Sequence, residues 1–177
     1  MYMTTAFRIY NVLFLGVHNT ARSILAEALL NRLGAGRFEA RSAGFDPSPV
    51  ISPYALALLE KINYKADRLA TKSMMAVMGA NDPGYDFIIR LSPDRRANTL
   101  GRAPQFFGKP VFVDWHLPDP CDVMGSSGAI AAAYSDLFNH LAARVDAFAN
   151  LPASVLEGCD IQARLEHMGG ESLRFAA

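Results

Sequence analysis

Apolar positions fall along this chain in alternating blocks of two kinds. The first kind is short and rich in β-branched and aromatic residues. "RIYNVLFLG" (8–16) runs apolar from Val12 to Leu15 and reads as a buried strand. "RFEARSAGF" (37–45) reads as a second strand ending in a glycine turn, "YDFIIRLS" (85–92) as a third and "PVFVDW" (110–115) as a fourth. The second kind has helical spacing. Leu25, Leu29 and Leu33 lie four apart after Ser23 and predict a helix that stops at Gly34 and Gly36. "SPYALALLEKINY" (52–64) offers Ser52 as a cap and Pro53 as the first helical residue. Ile130, Tyr134, Leu137, Leu141, Val145 and Phe148 recur at three- and four-residue steps, predicting a long amphipathic helix from Ser126 that Pro152 breaks. "SVLEGCDIQARLEHM" (154–168) predicts one last, shorter helix ended by Gly169-Gly170.

Strands alternating with helices predict an α/β fold: a single domain over residues 1–177, with a four-stranded parallel sheet and helices on both faces. Residues 168–177 are expected to form a loose tail. Ligands of parallel sheets gather at the carboxyl ends of the strands. The first strand-to-helix connection, Gly16 to Ser23, is therefore the expected site.

Composition narrows the picture mainly by exclusion. The 177 residues carry a formal net charge of +0, so no global field draws the protein to nucleic acid or an anionic membrane. Any preference for an anion must be local. Cys121 and Cys159 are too few for a disulfide framework and match no metal-ligand spacing. His18, His116, His140 and His167 make no metal signature either; His18 falls in the loop, and His140 and His167 read as helix-surface residues. No metal and no cofactor is expected. No apolar run is long enough for a signal core or a membrane span, which sets a cytoplasmic location as the expectation.

The stretch "VLFLGVHNTARS" (12–23) carries the chemistry. A loop feeding a helix N-terminus presents backbone N–H groups that lack intrahelical partners, at the positive end of the helix dipole. Gly16, Val17, His18, Asn19, Thr20, Ala21, Arg22 and Ser23 would wrap such groups around a tetrahedral oxyanion. Arg22 adds a planar fork for two anion oxygens. Asn19 tolerates left-handed backbone angles and can tie the loop together, and Ser23 can hydrogen-bond across it. The plainer reading is that Asn19-Thr20 caps a helix and Arg22 is a solvated charge.

This segment resembles the phosphate-binding loop of the low-molecular-weight protein tyrosine phosphatases and of the arsenate reductases built on the same fold. Their pattern is a cysteine, five residues, then Arg-Ser; "GVHNTARS" matches it at Asn19, Ala21, Arg22 and Ser23. The resemblance continues in "AEALLN" (26–31), "FEARSAG" (38–44), "SPYALALL" (52–59) and "HLPDP" (116–120). The stretch "LFNHLAARVDAFANLP" (137–152) looks like the bacterial members on the arsenate-reductase side. The match runs in order from about residue 10 to 168 and implies a phosphatase-I-like fold. It also implies roles. Arg22 would hold the oxyanion, Ser23 would hydrogen-bond the nucleophile, Asn19 would shape the loop and Asp119 would protonate the leaving group. The implied partner is a phosphate- or arsenate-like anion, or a phosphorylated protein.

One departure changes the expected activity. The position that the resemblance assigns to the nucleophilic cysteine is Gly16. Phosphoryl- or arsenyl-cysteine chemistry needs a low-pKa thiolate, and neither apolar Val17 nor the unactivated alcohol of Thr20 replaces it. Ser92 stands where a resolving cysteine of thioredoxin-coupled members is expected, and no cysteine occurs from residue 17 to 120. The expectation is an oxyanion binder silent in both family reactions, either a natural inactive relative or an inactivated variant. Rival readings are an interaction scaffold using Phe138, Leu141 and Phe148, and a degenerate nucleotide loop with Ala21 and Arg22 in place of Gly-Lys. Others are a redox thiol at Cys121, an Arg95, Arg96 and Arg102 cluster lining the site, and Trp115 packing at the pocket rim.

Overall fold

Four parallel strands carry the architecture: β1 (Tyr10–Gly16), β2 (Phe38–Gly44), β3 (Phe87–Arg90) and β4 (Val111–Asp114), ordered β2-β1-β3-β4. The computed structural model describes residues 8–92 and 106–170. Register brings the functional ends level. Gly16 pairs with Gly44, Leu15 with Arg90, and Arg90 with Asp114. The carboxyl ends of all four strands therefore open onto one edge of the sheet.

The α-helices are α1 (Arg22–Leu33), α2 (Pro53–Lys61), α3 (Ser127–Ala149), α4 (Ala153–Leu156) and α5 (Ile161–Gly169). Alternation along β1 sorts its side chains between two cores. Tyr10, Val12 and Phe14 join the large core with buried residues of all five helices. Leu13 and Leu15 face the other side, under Met74 and Val77 of a 3-10 turn together with Tyr85 and Ile88. Both faces are covered, but unequally. Burying each large apolar side chain contributes about 1.5–3 kcal/mol, so the helical face holds most of the stabilisation.

The helical stripe of α3 faces inward: Tyr134, Leu137, Leu141, Val145 and Phe148 are buried in the large core. Of the residues in the scaffold reading, Leu141 and Phe148 are thus unavailable to an external partner and Phe138 is half-buried against the same core, which weakens that reading. Ser126 caps α3, its hydroxyl accepting from Ala129 N at 3.2 Å. Trp115 is fully buried, tilted against Phe14 and set edge-on to Phe148, with its indole N–H donating to Leu165 O at 2.7 Å. It thus packs in the core and not at the pocket rim.

The single last helix expected over residues 154–168 is two helices. Leu156 and Ile161 both reach the core, five residues apart, and a continuous helix would send them to different faces. The chain breaks at Gly158, where a side chain would sit 3.2 Å from Val155 O, and restarts after Asp160. The tail expected from residue 168 begins too early, since Met168 and Gly169 belong to α5. Gly169 lies so close to Trp115 that a Cβ there would meet its Cδ1 at 2.5 Å. Among the described residues no helix is long and apolar enough to cross a membrane.

Candidate functional site

Between β1 and α1 the backbone turns with its carbonyls facing outward. Gly16 O accepts from Phe45 N, Val17 O from Asp46 N, His18 O from Ser48 N and Thr20 O from Ser52 N, at 2.9 to 3.2 Å. Fixing four carbonyls on the 45–52 segment leaves the N–H groups for the interior of the turn. Among the described residues, no protein group accepts from the backbone N–H of Val17 through Ala21. Helix α1 begins beyond Ala21 without a side-chain cap and without an acidic residue in its first turn. A buried helix start left in that condition is suited to an anion. Gly44 permits this arrangement. A Cβ on it would lie 2.5 Å from Val17 O and 3.0 Å from Asn19 Cβ, so only glycine lets β2 approach the loop.

Asn19 holds the turn in shape. Its φ of 52° lies in the left-handed region, which asparagine tolerates better than most residues. Its amide donates to Ser23 Oγ and Ser42 Oγ, both at 2.9 Å, and its Oδ1 accepts from Lys72 N at 2.7 Å. Ser42 in turn donates to Glu27 Oε2, and Lys72 Nζ lies 3.4 Å from the same carboxylate. The loop therefore rests on a buried polar chain running through Asn19, Ser42, Glu27 and Lys72.

Burial raises the Glu27 carboxyl above its ordinary range, with Lys72 and Ser42 opposing the shift. A carboxyl whose pKa is raised on folding contributes stability below its unfolded pKa and loses it as pH climbs through the folded value. The stability difference between wild type and Glu27→Gln should therefore shift against wild type as pH rises from acid through the ordinary glutamate range to that value. Beyond it the difference should be flat. Thermal melts of both proteins across this window measure it, and a difference independent of pH would refute the assignment.

Arg22 reaches across the mouth of the loop. It is 7% exposed, and its Nη1 donates to Leu117 O at 2.9 Å and Leu91 O at 3.4 Å. Its Nη2 meets Asp119 Oδ2 at 2.5 Å. Asp119 precedes a 3-10 turn at Pro120–Asp122, and its Oδ1 accepts from Cys121 N at 3.0 Å. Gly16 through Ser23 and Asp119 together line one cup. All nine positions picked out from the sequence thus converge. Gly16 itself has no positive φ, so nothing in its backbone demands glycine.

Other candidates fall differently. Cys121 is an exposed residue whose Sγ is partly buried, 3.3 Å from Tyr134 Oη. Burial of the thiol, reinforced by the Asp119 charge, pushes its pKa up, and the Tyr134 and Thr20 hydroxyls oppose this. A raised pKa is the opposite of what a reactive thiolate needs. His18 is exposed, and its Nδ1 is 3.0 Å from Asp46 O. His140 on α3 and His167 on α5 are exposed, as expected of helix-surface residues. Arg95, Arg96 and Arg102 lie outside the described residues. Among the described residues no three His, Cys, Asp or Glu gather to hold a metal ion. Sequence reasoning missed Glu27, Ser42 and Lys72. The available signal was Glu27 alone in the otherwise apolar run Ile24 to Leu30.

Comparison with known proteins places the chain in a family and a fold. A family model for low molecular weight phosphotyrosine protein phosphatases matches residues 11–155. A glutaredoxin arsenate reductase from Synechocystis sp. is 28% identical over 109 residues, spanning 62% of this chain and 77% of the relative. Among solved structures, an arsenate reductase from Archaeoglobus fulgidus is similar with a TM-score of 0.60 and 22% identity, covering 79% of this chain and 99% of that one. Another arsenate reductase, in a phosphate-binding state, gives a TM-score of 0.58 at 23% identity over 79% of this chain and 96% of its own. At such identities the solved structures speak for the shared fold.

Proposed function

Since the chain belongs to the low molecular weight phosphotyrosine protein phosphatase family, we propose that it binds a tetrahedral oxyanion in the 16–23 loop without performing the family's covalent chemistry. The observation that carries this reading is the loop itself. Its carbonyls face outward, its N–H groups are left for the interior, and Arg22 stands at its mouth. Helix-terminus N–H groups and a guanidinium together are a strong match for phosphate or arsenate.

In this reading Arg22 grips two anion oxygens, Ser23 and Asn19 hold the loop, and Asp119 occupies the general-acid position. Gly16 occupies the nucleophile position and offers no side chain for attack at phosphorus or arsenic. Removing a nucleophile leaves only what binding and electrostatics supply, so turnover should be negligible. The physiological ligand is a free oxyanion or a phosphoryl group carried by another protein. The arsenate reductases among the relatives favour the free anion.

Calorimetric titration with phosphate and with arsenate tests the reading. Saturable one-to-one binding of either anion is the expected result. A folded protein that takes up neither would refute it and move an interaction role, with no anion, to the front.

A further inference from the structure

We propose that Asp119 is an internal competitor for the anion site: its carboxylate occupies Arg22 Nη2 in the resting protein, and an oxyanion binds only by displacing it. This rests on the reading of the 16–23 loop as an anion site. Among the residues lining the cup, Arg22 supplies the fixed positive charge and Asp119 the negative one. Their contact is 2.5 Å, with 7% and 19% of the side chains exposed.

The contact is built in from both ends. Arg22 is anchored through Nη1 to Leu117 O, two residues before Asp119, so the guanidinium is held against the segment that carries the carboxylate. That segment is tied to β3 by Leu117 N donating to Leu91 O at 3.2 Å. The other carboxylate oxygen accepts from Cys121 N, which fixes the direction of the pair. Pro118 and Pro120 on either side restrict the backbone. With Asp119 in place the cup measures about 10 Å³, roughly the room one water needs. A phosphate or arsenate has four oxygens and needs more room than that, which an outward swing of the carboxylate supplies.

With glycine at position 16, Asp119 is the one counter-charge to Arg22 among the residues lining the cup. A buried guanidinium without a counter-charge is costly. A thiolate at position 16 would supply that charge from the floor of the loop, and glycine supplies none. Asp119 is left as the counter-ion. The carboxylate is tethered, so it competes at high effective concentration. The apparent affinity for any anion is then lowered by the fraction of molecules in which Asp119 has swung away.

The test titrates inorganic phosphate into wild type, Asp119→Asn and Asp122→Asn at one pH and ionic strength. Asp122 lies in the 3-10 turn that Asp119 precedes, and its removal controls for a general change of field. Asp119→Asn is expected to bind phosphate at least tenfold more tightly than wild type, with Asp122→Asn within twofold. Equal or weaker binding by Asp119→Asn, or an equal gain in both variants, would overturn the competitor while leaving the anion site standing. Absence of binding in all three folded proteins would instead overturn the site, and the competitor with it. Asp119→Ala repeats the measurement should the amide variant fail to fold.

Discussion

Arg22→Ala is expected to abolish measurable phosphate and arsenate binding while leaving a folded protein. The guanidinium is the fixed cation at the cup, and its two amino groups reach Leu117 O and Asp119 from a position 7% exposed. A hydrogen bond to a charged group contributes about 1.5–3 kcal/mol. Losing a two-oxygen grip therefore removes about 3–6 kcal/mol of binding, or a factor of at least ~100. The variant should also be less stable. Asp119 loses its partner and Leu117 O loses a donor, although Asp119 is exposed enough to recover water. Calorimetry with a parallel thermal melt separates the two losses. Arg22→Lys should keep part of the stability and recover little of the binding, because an ammonium cannot reproduce the planar fork. A folded alanine variant that binds phosphate as wild type does would remove Arg22 from the site.

Gly16→Cys is expected to have the opposite effect and install chemistry. A Cβ on Gly16 meets Ser23 Oγ at 3.2 Å and Ser23 Cβ at 3.7 Å, and no further contact arises within 4 Å. The serine must give by a few tenths of an ångström. The φ of Gly16 is outside the left-handed region, so a side chain adds no backbone strain. The new thiol would lie beside the Ser23 hydroxyl, at the start of α1 and near Arg22, an environment that lowers a thiol pKa. Hydrolysis of an aryl phosphate should rise by roughly a thousandfold or more over wild type, the scale on which nucleophiles act in covalent catalysis. A steady-state assay of both proteins, with Arg22→Ala in the cysteine background as control, reads the gain. Should the cysteine variant fold and bind phosphate yet turn nothing over, the loss at position 16 was not the sole defect. The remaining machinery, Asp119 first, would then have diverged as well.

Much of this protein was legible in one dimension because the signals involved are local. The apolar run Val12 to Leu15, the three- and four-residue stripe of α3 and the Ser52-Pro53 start each lie within one element. The loop from Gly16 to Ser23 was legible for the same reason, since eight consecutive residues build most of the cup. Asp119 came from the resemblance of "HLPDP", a longer reach than periodicity allows. The break at Gly158 was hidden because Pro152 and Gly169-Gly170 bound the whole stretch, and only the packing shows that Leu156 and Ile161 both reach the core.

What only the tertiary structure decided depends on register between distant strands. Ser42 stands beneath Asn19 because Gly44 pairs with Gly16, and Lys72 joins them because it donates to Asn19 and accepts from Gly44. No spacing in the chain announces that Glu27 closes this network, since its partners lie 15 and 45 residues away. The Arg22–Asp119 contact spans 97 residues. The sequence by itself determined which groups are present and which is missing at position 16. The fold decided how those groups neutralise one another, because charge pairing acts through distance in space, which the chain sets only after its sheet has closed.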